Sequence, residues 1–441
     1  MRALVRPGQE AMRQLAMVGL CVVVTATAVE ARAGSEPLAE LDQRILQEHA
    51  GLEAARGEVM ELRGQSEWVA GQRPEPMVEY MLEVGAPWGE HRTVGHAVEL
   101  MQPLRWPGAR AAEAAPLEAA AEAAEHQERM VAMDAMKQLR LVLVELETVD
   151  ALLDQVADEV GLIDDSLGVL EATAGVTGED HGQFYQLELA REQALDRRDE
   201  LETRRDEALA RLGGLLEGEV QWEAMGWEAW EMEPPAWEEL AGWVEAYAPE
   251  VEVDRAREQQ AQQELALVDQ RRRPQPSIMV GYSNKAPMWE MDGPRDQMVH
   301  LGVGFNLPVW GSSYDREASA RVAGTESAAL ATSQRVRDQI AEAREVYDAW
   351  RRLEQRKVRY QREMAPLARD LAAQVLVGME LGERSASDFL TALNQEVEVE
   401  QGLIELRGEA VKKQIEIQRL SGGRLGQDAR WAYPESMGGQ R

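Results

Sequence analysis

Six histidines, one cysteine and an excess of carboxylates are the groups in this 441-residue sequence that could do acid–base, metal or nucleophilic chemistry. The histidines (His49, His91, His96, His126, His181 and His300) are scattered, with no helical His-Glu-x-x-His pair and no Cys/His pair at zinc-ligand spacing. No glycine loop suited to a nucleotide phosphate and no nucleophile elbow occurs. The sequence therefore predicts no catalytic residues, no metal site and no cofactor. What stands out instead is a set of carboxylates in a regular setting. Glu79 and Glu83 alternate with Val78, Tyr80, Leu82 and Val84, and Glu99 lies between Val98 and Leu100. Carboxylates on one face of a strand make a wall that attracts cations. Methionines crowd the same regions: Met77, Met81, Met279, Met288, Met291 and Met298. Thioethers suit soft metals, although flexible apolar filling is the commoner use of methionine.

The elements that must position these residues are strands. From Ile278 the chain alternates Ile278, Val280, Tyr282 with Met279, Gly281, Ser283. A second run sets Val299, Leu301, Val303, Phe305 and Leu307 against His300, Gly302, Gly304 and Asn306. Period two over about nine residues is a strand signal. One apolar face and one small or polar face suit a wall between lipid and water. About 200 residues earlier the design recurs. Arg73-Pro74 and Pro76 correspond to Arg273-Pro274 and Pro276, and QPLRWPG (Gln102 to Gly108) closes the first pair as FNLPVWG (Phe305 to Gly311) closes the second. Each pair precedes a very long helical stretch, Ala109 to about Leu170 and about Tyr314 to Met379, so the chain is an internal duplication. Helices of 60 residues, roughly 90 Å long, belong to coiled coils or packed tubes.

These features resemble the TolC-like outer-membrane efflux proteins from about Pro37 to Gly423. The markers are the doubled RP-x-P hairpin, QPLRWPGAR and LPVWG, AYAPEV (Ala246 to Val251) and LGERSASDFL (Leu381 to Leu390). The hairpin style is most similar to the heavy-metal branch, of CzcC/CusC type. The resemblance implies a mainly α fold with a small β part: a coiled-coil helical tube plus four strands per chain, given to one transmembrane β-barrel shared by a homotrimer. It implies a passive exit duct in the bacterial outer membrane, with a periplasmic helical extension. Its partners would be outer-membrane lipid, a periplasmic adaptor (membrane fusion protein) and an inner-membrane pump of the resistance-nodulation-division class. Metal cations, drugs or, with an ABC exporter, proteins in type I secretion are the cargo classes open to such a duct. A periplasmic adaptor and a soluble coiled-coil interaction protein are the rival readings.

The resemblance also assigns roles along the chain. Residues 1–33 form a secretory signal peptide, with Arg2, Arg6 and Arg13 before the apolar run Leu15 to Val24 and a small-x-small site at Ala31 to Ala33. Cys21 lies inside that run, after Leu20, which does not make a lipid-attachment box, and no other cysteine follows to form a disulfide. The leader carries four basic residues (Arg2, Arg6, Arg13, Arg32) and two acidic ones (Glu10, Glu30). The whole chain has a net charge of −32, so the remainder carries −34. Such a charge excludes nucleic acid as a partner. Residues 34–214 are the first repeat, 215–248 a Trp-rich equatorial linker, 249–423 the second repeat and 424–441 a tail. Five tryptophans from Trp222 to Trp243 are expected to pack a belt around the tube. Trp88 and Trp289 in the far loops, with Trp106 and Trp310 at the strand ends, are expected at the two membrane interfaces.

The turns joining long and short helices correspond to the periplasmic tip. There Gly178, Gly382, Glu383, Arg384 and Ser385 are expected to dock the adaptor. Asp388 stands where the family has an aperture aspartate, but the family's next aspartate is Thr391 here. The first repeat places Phe184 at the matching position and leaves Glu179 and Asp180 on the turn. Asp388 thus has two readings, a gate carboxylate or a charge favouring the positive end of its helix. Glu79, Glu83 and Glu99 are the expected lumenal acids.

Overall fold

The computed structural model describes residues 38–85, 93–177, 181–218, 220, 222–287, 296–307 and 311–424. Helix α1 (Leu38–Glu48) and α2 (Ala50–Gly71) lead into β1 (Met77–Gly85) and β2 (Thr93–Pro103). There follow α3 (Ala109–Thr177), α4 (His181–Leu215), a 3-10 turn (Trp227–Ala229), α5 (Trp237–Tyr247) and α6 (Pro249–Arg271). The second pair of strands, β3 (Gln275–Pro287) and β4 (Asp296–Asn306), precedes α7 (Gly311–Arg359). A π-turn (Tyr360–Met364), α8 (Ala365–Glu380) and α9 (Ala386–Leu420) complete the chain.

The four strands form one antiparallel sheet in the order β1-β2-β3-β4, so the two hairpins pair through β2 and β3. Registers such as Val78↔Leu100, Leu100↔Val280 and Val280↔Leu301 put the even-numbered residues of β1 to β3 and the odd-numbered ones of β4 on one face. The outer strands β1 and β4 each keep one edge unpaired in the sheet.

Helix α3, 69 residues and about 100 Å long, is the spine. It packs against α2, α4, α6 and α9, while α7 packs against α6, α5 and α9. Burial is continuous along it: Ala132, Leu139, Leu143, Leu146, Val149, Val156 and Ile163 are buried. Alanines at close contacts let the helices approach, and Pro116 falls within the first turns of α3. The buried seam of α7 runs through Ala343, Tyr347 and Trp350, spaced by four and three.

Several expectations change. The first helix is two helices, broken at His49, whose backbone is extended (φ −70°, ψ 114°). Arg56 Nη2 donates to the Leu46 carbonyl at 3.0 Å beside the break. The return helix α4 ends at Leu215, just past the Gly213-Gly214 pair. Its cap is Glu217 (φ 48°), with the Gly218 amide donating to the Gly213 carbonyl at 3.1 Å. The second return helix does end on glycines, Gly422 (φ 68°) and Gly423 (φ 78°). In α8 the apolar residues Leu367 and Leu371, stepped by four from one another, do not form the buried seam. Ala365, Ala368, Ala372 and Met379 are buried, while Leu367 is 69% exposed. The cause is the π-turn, whose wider winding rotates every later side chain around the axis. Gly402 of α9 makes room for it, because a Cβ there would meet the Tyr360 ring at 3.0 Å.

Candidate functional site

The two faces of the sheet differ in chemistry. Val78, Tyr80, Leu82, Val98, Leu100, Ile278, Val280, Tyr282, Val299, Leu301, Val303 and Phe305 all lie on one face and are all exposed. An exposed apolar patch of that extent has no place in water. Along β4 the exposure alternates, with His300, Gly302 and Gly304 more covered than Val299, Leu301, Val303 and Phe305, so the apolar face is the more exposed one there. At the level of Leu82 the apolar face turns polar, through His96, Asn284 and Gln297. Tyr80 and Tyr282 ring this edge, and the Tyr80 hydroxyl lies 2.6 Å from His96 Nδ1. Trp106 marks the other end, donating through Nε1 to the Pro274 carbonyl at 2.6 Å. Trp88, Trp289 and Trp310 lie outside the described residues.

The opposite face is built in rows. Glu79 is in register with Glu99, which is in register with Gly281 and then His300. Two of the three expected wall acids are thus brought together. The imidazole of His300 lies across Gly281, whose added Cβ would meet Nε2 at 2.1 Å. Two rows further toward the loops, Glu83 is in register with Gly95, Lys285 and Asp296. The sequence reading missed Lys285 and Asp296 there. His96 and His300 fall on opposite faces, as the alternation requires. Among the described residues no group of three or more His, Cys, Asp or Glu could hold a metal ion. No described helix is long and apolar enough to cross a membrane.

At the far end of the helices, Gly382 (φ 73°) makes the turn between α8 and α9, and the Glu383 amide closes it on the Gly378 carbonyl at 2.8 Å. Gly382, Glu383 and Arg384 are exposed. Asp388 forms a capping box with Ser385: its Oδ2 accepts from the Ser385 amide at 3.1 Å and hydroxyl at 2.9 Å, and Ser385 Oγ accepts from the Asp388 amide at 3.2 Å. Those bonds, and then Arg384, hold the carboxyl below its usual range. Gly178, Glu179 and Asp180 lie outside the described residues. Gln183 of α4 nevertheless reaches across, its Oε1 accepting from the Ala386 amide at 3.0 Å and tying the two tip turns together.

Above the tip an acidic groove between α3 and α9 was not foreseen. Asp158, Glu159, Asp165, Glu396 and Glu400 line it with Arg369 as the cation. Arg369 pairs with Glu400 at 2.7 Å and Arg197 with Glu159 at 2.5 Å. Burial and then the charge of Glu400 push the Glu396 carboxyl up, against the pull of Arg369. The five tryptophans of the linker are packing residues. Trp230 is buried, Trp222 Nε1 donates to Asp150 at 2.9 Å, and Trp237 lies tilted against Tyr347, ring centroids 5.5 Å apart, with Arg344 over its face.

A four-stranded sheet with one exposed apolar face is carried on a helical body whose spine, α3, is about 100 Å long. Solved structures define this arrangement further: the chain has the fold of bacterial outer-membrane channel proteins. CusC, described for its conformational changes on transmembrane channel formation, superposes with a TM-score of 0.69 at 14% identity, covering 88% of this chain and 92% of that one. The open MtrE outer-membrane channel of Neisseria gonorrhoeae gives 0.68 at 11% identity, covering 90% and 91%. The outer-membrane protein VceC of Vibrio cholerae gives 0.65 at 14%, covering 88% and 96%. No protein-family model matches the sequence, and no curated protein sequence matches it either.

Proposed function

We propose that this chain is the outer-membrane exit duct of a tripartite efflux system of the TolC-like family. One observation carries the reading: the sheet exposes a broad apolar band on one face and leaves β1 and β4 each with an unpaired edge. An open hydrophobic sheet must cover both features, and four strands are too few to close around water. Three copies, edge to edge, would close a twelve-stranded barrel, with the apolar face in lipid and the Glu79–Glu99 row in the lumen. The helices would then form the periplasmic tube, with Gly382, Glu383, Arg384 and Ser385, joined by Gly178, docking the adaptor at its tip. Asp388, Glu179 and Asp180 would stand at the aperture. Energy would come from an inner-membrane pump of the resistance-nodulation-division class. Residues 34–214 and 249–423 are the two repeats, joined by the tryptophan belt at 215–248. The alternating face and the RP-x-P hairpin style support the heavy-metal branch, with metal cations as cargo.

Fractionation of cells expressing the chain tests this reading. The duct predicts sedimentation with outer membranes and an oligomer that dissociates only on heating. A monomer in the periplasmic fraction would instead favour an adaptor or a soluble coiled-coil protein.

A further inference from the structure

The doubled Arg-Pro corner has no part in the wall or the tip. Strand β2 lies between β1 and β3, so the corners that open those two strands, Arg73-Pro74 and Arg273-Pro274, flank the exit of β2. Residues of that exit tie both corners down. Gln102, on the apolar face by its register with Ile278, donates through Nε2 to the Pro74 carbonyl at 2.9 Å. Trp106 holds the Pro274 carbonyl through Nε1, and the Leu104 amide donates to the Pro276 carbonyl at 2.7 Å. Proline also disfavours helical backbone in the residue before it, so each arginine leaves a defined corner. Both Arg73 and Arg273 are exposed, and neither makes a hydrogen bond or ion pair among the described residues. Their neighbours do: Arg105 pairs with Glu113, Arg271 with Glu317 and Arg272 with Asp315. Two unpaired arginines at one end of an apolar face stand out in a chain of net charge −32.

We propose that Arg73 and Arg273 form a binding site for the phosphate of an anionic phospholipid, of phosphatidylglycerol type, at the helix-side end of the sheet. Strands β1 and β3 are two strand spacings apart, about 10 Å, a gap that two long guanidinium side chains can close on one headgroup. Guanidinium is the cation that meets a phosphate with two parallel hydrogen bonds. Leu104 and Trp106, 38% and 42% exposed between the corners, offer the glycerol and the first acyl carbons an apolar seat. The exposed apolar residues start just beyond the corners, at Val78, Leu100 and Ile278, so a lipid whose chains lie against that face brings its headgroup to this level. Glu75 is also exposed there, so the two corners carry two positive charges less one, a net +1 that suits a headgroup with a single negative charge. A zwitterionic headgroup would bring its own ammonium against the same guanidinium pair.

The proposal rests on the duct reading in placing this end of the sheet at the membrane surface, and one preparation tests the two separately. The full chain is purified in detergent, and gel migration before and after heating reports assembly. Native mass spectrometry counts bound lipid during titration with phosphatidylglycerol or phosphatidylethanolamine. The parent should bind phosphatidylglycerol the more tightly, by at least about tenfold. An arginine beside an anionic lipid contributes about fivefold. Arg73→Gln and Arg273→Gln should therefore each weaken phosphatidylglycerol about fivefold, and the double variant about 25-fold, with phosphatidylethanolamine unchanged. The single variants keep the comparison valid where the double variant fails to assemble. Arg337→Gln removes an exposed arginine about 40 Å along α7 and should change nothing. Inorganic phosphate lacks the apolar contacts and should not displace the lipid at millimolar concentration; displacement would mark a free-anion site and overturn the lipid assignment. Equal binding of the two lipids by the parent, or a preference undiminished in both single variants, would overturn the proposal. Absence of the heat-sensitive oligomer in the parent chain would count against the duct, whichever lipid binds.

Discussion

Leu301 and His300 are neighbours in β4 that face opposite ways, and exchanging each for arginine separates the lipid reading from every soluble alternative. The outward run from Val299 to Leu307 spans about 27 Å of extended chain, or about 20 Å of depth once strands tilt by some 40°. Leu301, 78% exposed and in register with Val280, falls inside that band. An arginine in mid-membrane on a barrel's lipid face costs about 2–4 kcal/mol. Three copies per barrel bring this to about 6–12 kcal/mol, comparable with the whole stability of an ordinary domain. The same change at His300 puts the guanidinium on the wall that carries Glu79 and Glu99, at almost no cost. In a soluble protein an exposed leucine changed to arginine shifts stability by less than about 0.5 kcal/mol. The assay is the yield of heat-sensitive oligomer in the outer-membrane fraction. Leu301→Arg should abolish it and His300→Arg should leave it near the parent level. Equal tolerance of both, or failure of His300→Arg alone, would refute the assignment of faces.

Three further outcomes are expected. Asp42 is buried against Arg140, with Nη2 to Oδ2 at 2.5 Å, and burial holds its carboxyl above the usual range despite that partner. Asp42→Ala strands a buried guanidinium and should destabilise the helical body by about 3–5 kcal/mol in chemical denaturation, while Glu53→Ala, on an exposed position, should be silent. The raised carboxyl of Glu396 means that its ionisation opposes folding: stability linked to it is present in acid and is lost as pH rises through its folded value. Glu396→Gln should therefore raise the melting temperature at pH 8 and leave it unchanged near pH 4; an equal gain at both would remove the titration from the account. Asp388→Asn, read by single-channel block with a trivalent cation, should lose block if Asp388 lines the aperture, whereas intact block returns Asp388 to the capping box with Ser385.

Where side chains repeat strictly, the sequence told the structure. Period two from Ile278 and from Val299 located β3 and β4, and the doubled Arg-Pro-x-Pro located β1 and β2 by the same token. The heptad steps through Ala343, Tyr347 and Trp350 gave the α7 seam. Reading failed where one backbone event re-phased what followed. The π-turn at Tyr360–Met364 turned Leu367 and Leu371 outward, and no residue in that turn is diagnostic of it. The break at His49 was decided by tertiary contacts of Leu46 and Leu52, which outweigh local helix preference. On the sheet the faces of Glu79 and Glu99 were legible from alternation alone. Their shared row, and the placing of Met101 between Met77 and Met279, required the register between strands. The acidic groove around Glu396 joins α3 to α9 across more than 200 residues of chain, a separation no local pattern encodes.

The central claim is a water-filled path through the membrane, and planar-bilayer recording of the purified chain measures it most directly. The duct predicts discrete conductance steps and, in a salt gradient, a reversal potential of cation-preferring sign from the Glu79 and Glu99 rows. Protein that incorporates into the bilayer yet passes no current, or passes anions in preference at neutral pH, would contradict it.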